Sequence, residues 1–90
     1  MMVRREVTII NKLGLHARAA ARLVTLASRF ESTVQLERNS KKVNGKSIMG
    51  VMMLAAGQGA TIEIIAEGVD EEVALADLEA LVQQRFGEES

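Results

Sequence analysis

Apolar and polar positions change period several times along the chain, and each change marks an element. Val3 to Ile10 alternates, with Val7 and Ile9 on one side and Thr8 and Ile10 on the other, which predicts a strand. After the loop Asn11-Lys12-Leu13-Gly14, strong helix formers run from Ala17 to about Arg29. Ala20, Leu23, Val24 and Ala27 recur there with helical spacing. Thr33 to Glu37 alternates again, Asn39-Ser40 supplies a turn, and Lys41 to Val43 returns as a short partner strand. Ser47 opens a second, shorter helix through about Leu54, ended by Ala55-Ala56-Gly57-Gln58-Gly59. Thr61 to Glu67 forms a further strand with Ile62, Ile64 and Ala66 inward. Asp70 is placed to cap a last helix, with Glu71 and Glu72 favourable in its first turn. That helix repeats Ala74, Leu75, Leu78, Leu81 and Val82, holds Arg85 in its final turn and stops at Gly87.

The order is β-α-β-β-α-β-α. Three helices cannot cover both faces of so small a sheet, so the pattern predicts a two-layer α+β open-faced sandwich with the helices on one face. Thr8, Ile10, Gln35, Glu37, Glu63 and Ile65 are expected on the open face.

Composition narrows the function classes. Ninety residues suffice for one domain, residues 1–90, around one core. With no cysteine, disulfides, thiol catalysis and zinc ribbons are excluded, and a lone histidine removes any poly-histidine metal site. No metal and no cofactor is expected. With no Trp or Tyr and two Phe, a base-stacking nucleic-acid platform is not supported. No apolar run reaches the roughly 20 residues of a membrane span, and no signal-peptide pattern opens the chain, so a soluble cytosolic protein is expected.

The net charge of −1 conceals an asymmetry, because ten of the eleven Lys and Arg precede Ser47 and nine of the twelve acids follow it. Either the two halves mix on folding or the molecule presents a basic face suited to anions and acidic partners.

His16 stands where a helix cap belongs, and the usual capping side chains are missing there. The amides of Ala17, Arg18 and Ala19, at the positive end of the helix dipole, then make an anion site, and the Arg18 guanidinium can reach the same anion. A neutral imidazole is a competent nucleophile that can accept a phosphoryl group in line. With no companion His or Cys, a triad or metal hydrolase would have to be built from carboxylates alone, and a site that takes a phosphoryl group without activating water is a carrier site. Position alone also fits a solvated capping histidine.

Ser47 is a conventional cap for the second helix. Ile48, Met49, Val51, Met52, Met53 and Leu54 make that helix apolar nearly all round. A helix on a singly covered sheet buries one stripe, so the remainder forms an exposed docking patch, unless every side chain packs and methionine merely fills gaps. Phosphate on Ser47 would add about −2 charge at the helix start and oppose docking of an acidic or apolar partner.

The segments Asn11-Lys12-Leu13-Gly14-Leu15-His16-Ala17-Arg18-Ala19-Ala20 and Gly45-Lys46-Ser47-Ile48-Met49-Gly50-Val51-Met52-Met53-Leu54 resemble the active-site and regulatory-serine segments of the phosphocarrier protein HPr family of the bacterial phosphoenolpyruvate-dependent phosphotransferase system. Their separation also matches, and the similarity runs over essentially the whole chain. The resemblance implies strand order 1-4-2-3. It implies that His16 accepts a phosphoryl group on Nδ1 from enzyme I and yields it to an EIIA-type protein, with Arg18 assisting. It further implies Ser47 as the target of an HPr kinase/phosphorylase, and Ala20, Ile48, Met49 and Met52 as docking positions; apart from the resemblance, a monomer that binds no nucleic acid and does not enter membranes is expected. Family members commonly carry proline where this chain has Ala19; proline in a first helical turn only pre-sets φ, so the chemistry is unaffected. The loop Ile10-Asn11-Lys12-Leu13 also resembles the nitrogen branch (NPr), whereas Lys46 to Gly50 leans toward the kinase-regulated branch. Two other classes stay open: an HPr-like adaptor read only through Ser47, and a small acid-anhydride hydrolase.

Overall fold

The computed structural model describes all residues, Met1–Ser90. Its elements are β1 (Met2–Thr8), α1 (Ala17–Ala27), β2 (Thr33–Arg38), β3 (Lys41–Asn44), α2 (Ile48–Met52), β4 (Thr61–Glu67) and α3 (Glu71–Gln83), followed by a 3-10 turn at Arg85–Gly87. The strands form one antiparallel sheet in the order β1-β4-β2-β3, as expected. Side chains at opposed positions share a face, so the register Val7↔Ile62, Leu36↔Ile64 and Val34↔Ala66 gathers one apolar surface. The helices bury it. Ala19, Ala20, Leu23 and Ala27 of α1, Val51 of α2 and Ala74, Leu75, Leu78 and Val82 of α3 are buried with those strand residues. The fold is the open-faced α+β sandwich.

Several local expectations are corrected, among them the end of α2, which stops at Met52 rather than near Leu54. β1 ends at Thr8 rather than Ile10, although Ile9 still exchanges main-chain bonds with the turn before β4 (Ile9 N–H to Ala60 O, 2.8 Å; Gly59 N–H to Ile9 O, 2.7 Å). α1 stops at Ala27 rather than near Arg29, because the following turn is drawn toward Asp70. The Asp70 carboxylate accepts from the amides of Glu31 (2.9 Å) and Ser32 (3.0 Å) and from the Ser32 hydroxyl. Asp70 therefore occupies the cap position of α3 without capping it through its side chain. The Ser32 hydroxyl, then the Glu31 amide, hold its carboxyl below the ordinary value of 3.8.

On the open face, Ile65 is only 2% exposed, against expectation. Arg4, its cross-strand neighbour on β1, reaches over β4 to Glu63 and Glu37 (3.3 Å to the latter), and its aliphatic stem covers apolar surface on the way.

At the other end, α3 finishes at Gln83, so Arg85 lies outside it. Arg85, Phe86 and Gly87 all take left-handed backbone angles (φ 57°, 54° and 80°). A non-glycine residue costs about 1–2 kcal/mol there, so Arg85 and Phe86 together cost about 2–4 kcal/mol. Burying a phenylalanine side chain returns about 1.5–3 kcal/mol, and Phe86 is completely buried. The reversal turns the chain back toward the start of α1.

Candidate functional site

The loop from Asn11 to Leu15 holds His16 in place. Gly14 takes φ +68°, and a Cβ there would lie 2.6 Å from the carbonyl oxygen of Ala56. That close approach lets Leu15 donate to the same oxygen at 2.9 Å and bury its side chain. Asn11 is wholly buried, and both hydrogens of its amide are used: one to the Gly14 carbonyl (2.9 Å), the other to Glu88 Oε1 (3.0 Å). Its own Oδ1 has no partner.

His16 then sits at the N-cap of α1 with extended backbone, and its carbonyl accepts from Ala20 N–H at 2.8 Å. Its side chain makes no capping bond, and the amides of Ala17, Arg18 and Ala19 are without main-chain or side-chain partners. The imidazole is 27% exposed. It is not the free-standing ring that the sequence suggests, because Nε2 is bonded to Glu88 Oε2. An ionised carboxylate only accepts, so Nε2 carries the hydrogen and Nδ1 of a neutral ring keeps its lone pair. The carboxylate form is favoured: the Asn11 amide, then the His16 ring with the Arg18 charge nearby, hold the Glu88 carboxyl below its ordinary value of 4.5.

Arg18 is exposed and has no ion-pair partner. With Lys12, Leu13, Arg22 and the C-terminal residues Gly87 to Ser90 it lines a cleft of about 460 Å³, which shares Glu88 with the His16 site but is not lined by His16 itself. Arg18, Arg22 and Arg29 also border a shallow groove floored by Leu26 and Leu81, so α1 carries a basic stripe. Arg4 and Arg5, by contrast, are paired with acids. The two halves of the charge asymmetry mix in part and leave their positive excess along α1.

Ser47 caps α2, its Oγ accepting from Gly50 N–H at 3.1 Å. α2 packs beside α1 and buries Val51, while Ile48, Met49, Met52 and Met53 stay exposed, Met49 most of all at 72%. The exposed patch is therefore real. Ala20 does not belong to it: its side chain is completely buried in the core and offers nothing to a partner. The far end of α2 is held by two cations from the β2–β3 hairpin. Arg38 donates to the carbonyls of Leu54 (3.0 Å) and Ala55 (3.4 Å), and Lys41 to that of Met53 (3.1 Å).

Glu88 is the site residue that sequence reasoning missed. One signal pointed to it: Phe86, an apolar residue past the helix periodicity, must return to the core and bring its neighbours with it.

The site thus combines a partly exposed imidazole at the N-cap of α1, unpaired amides in the first turn of that helix, an arginine without an ion-pair partner two residues on, and exposed apolar side chains on α2. Residues 3–84 match the family model described as "PTS HPr component phosphorylation site". The phosphocarrier protein HPr of Cupriavidus necator is 56% identical over 97% of this chain and 98% of its own length. The phosphocarrier protein NPr of Shewanella violacea is 45% identical over 96% of this chain and 94% of its own. The crystal structure of HPr-C-His from Thermoanaerobacter tengcongensis superposes with a TM-score of 0.94 at 48% identity, covering 98% of this chain and 99% of that one. The chain belongs to the HPr family of phosphotransferase-system phosphocarriers, which carry a phosphoryl group and are not themselves catalytic enzymes. No helix is long and apolar enough to cross a membrane.

Proposed function

We propose that His16 receives a phosphoryl group on Nδ1 from phosphorylated enzyme I and passes it to an EIIA-type protein. The observation that carries this reading is the His16 ring at the N-cap of α1, partly open to solvent, with Nε2 occupied and the amides of Ala17 and Arg18 unpaired beside it. Those amides and the Arg18 guanidinium stabilise charge on the equatorial oxygens as the group transfers. Ile48, Met49 and Met52 form the docking surface, engaged weakly because one face serves successive partners. Phosphorylation of Ser47 by an HPr kinase/phosphorylase places two negative charges beside that surface and weakens docking. Residues 1–90 act as one domain, a cytoplasmic monomer.

Incubation with enzyme I and labelled phosphoenolpyruvate tests the reading. An acid-labile label on the wild-type chain, absent from His16→Ala, is expected. Label retained by His16→Ala overturns the assignment, and steady phosphate release without an acceptor favours a hydrolase instead.

A further inference from the structure

Glu88 lies beyond the last helix, yet it is bound to the two residues that define the His16 loop. One carboxylate oxygen accepts from Asn11 Nδ2 at 3.0 Å and the other meets His16 Nε2. The anchor is rigid, since Asn11 is completely buried and its second hydrogen fixes the Gly14 carbonyl at 2.9 Å. Glu88 itself is only 11% exposed at its side chain. The left-handed run Arg85–Phe86–Gly87 delivers it there, with Phe86 locked in the core and Arg22 donating to the Phe86 carbonyl.

We propose that Glu88, held by Asn11, is a positioning residue for phosphoryl transfer at His16. The inference rests on the reading of His16 as phosphoacceptor. It adds a reason why Nδ1 is the nitrogen that reacts. A carboxylate on Nε2 keeps the hydrogen there, orients the ring and leaves the Nδ1 lone pair outward. In the transfer step the Nδ1–P bond forms as the bond between phosphorus and the donor's leaving atom breaks, and the electron pair of that bond departs with the leaving atom. The Nε2 proton stays where it is, so the phosphorylated ring is an imidazolium. Glu88 faces that new positive charge directly. The same contact keeps the Nε2 hydrogen through the return step, in which the Nδ1–P electron pair goes back to nitrogen and the ring leaves as neutral imidazole rather than as imidazolate, the poorer leaving group. Arg18 and the helix amides serve the phosphoryl oxygens, while Glu88 serves the ring.

The test separates ring orientation from uptake. In the unphosphorylated full chain, proton-detected nitrogen NMR at alkaline pH should show wild-type His16 as the Nε2–H tautomer with a low-field, slowly exchanging proton. Glu88→Ala should lose that proton and take up phosphoryl from phosphorylated enzyme I about tenfold more slowly at saturating donor, with little change in the donor concentration for half-maximal rate. Glu88→Gln, which keeps an acceptor without the charge, should restore the tautomer but only part of the rate. A Glu88→Ala chain that keeps the low-field proton, or that loads at the wild-type rate, overturns the proposal. Failure of the wild-type chain to load at all is a different result, which removes the phosphoacceptor reading itself.

Discussion

The side chain of Arg22, in the middle of α1, donates to the main-chain carbonyl of Phe86, past the end of α3. It thereby satisfies an oxygen stranded by the left-handed turn and ties the first helix to the end of the last.

Phe86→Ala should destabilise the fold by about 3–5 kcal/mol, as expected for truncating a fully buried aromatic ring. Arg22→Ala should cost less, about 1–3 kcal/mol, for the carbonyl left without its donor. Urea unfolding with an unchanged m-value measures both; equal and negligible losses would mean that the turn is not held as described.

Gly14→Ala should be strongly unfavourable although it adds one methyl group. The left-handed φ of +68° costs about 1–2 kcal/mol for an alanine. The new Cβ would also collide with backbone at Ala56 and Gly57 (2.6 and 2.7 Å), which cannot yield as a side chain would. A drop of at least 2 kcal/mol in urea stability is expected (order of magnitude), together with slower phosphoryl uptake because His16 is displaced. A variant as stable as wild type would show that the loop has another low-energy form.

Acid should weaken the fold through Asp70 and Glu88, whose carboxyls sit below their ordinary values of 3.8 and 4.5. A depressed folded-state pKa contributes stability that is fully present above the unfolded value and is lost as pH falls through the folded one. Stability should therefore decline from about pH 5 downward. Asp70→Asn should lower stability at neutral pH and flatten the acid-side slope. Parallel stability curves for wild type and Asp70→Asn between pH 6 and 3 (approximate window) would sink this account.

Met49→Glu should separate docking from folding. At 72% exposure the change should move stability by no more than about 0.5 kcal/mol. Affinity for enzyme I, measured by calorimetry, should fall at least about tenfold, since an apolar contact is replaced by a charge. Ala20→Glu, by contrast, should fail to fold stably, because that position is sealed inside the core.

The periodic segments were legible in sequence because burial on one face dictates spacing: β2, β4, α1 and α3 fall where the alternation and the helical repeats place them. So were His16 and Ser47 as the residues preceding α1 and α2. What escaped depends on contacts between distant residues. Asp70 reads as a cap, but the Glu31 and Ser32 amides compete for its carboxylate and win. Ile65 alternates outward as expected, yet it is almost sealed from solvent, with the long Arg4 side chain opposite it in the β1–β4 register. Arg85 extends a good helical pattern, and only the burial of Phe86 makes the left-handed break worthwhile. Glu88 carries no local signal of its own.

The grip of Arg38 and Lys41 on the carbonyls just past α2 bears on how partners arrive. Those two cations are tethered at one end of the apolar patch, Lys46 is tethered to the Phe30 carbonyl, and Arg4 and Arg5 are neutralised by glutamates. Positive charge without a hydrogen-bond or ion-pair partner is left at Lys12, Arg18, Arg29, Lys42 and Arg85, three of them at the His16 loop or along the first helix and its end. Because a cation bonded to a neutral carbonyl keeps its charge, an acidic protein diffusing in from afar meets positive charge around α2 as well as along α1, and added salt should slow the encounter more than it shortens the lifetime of the complex.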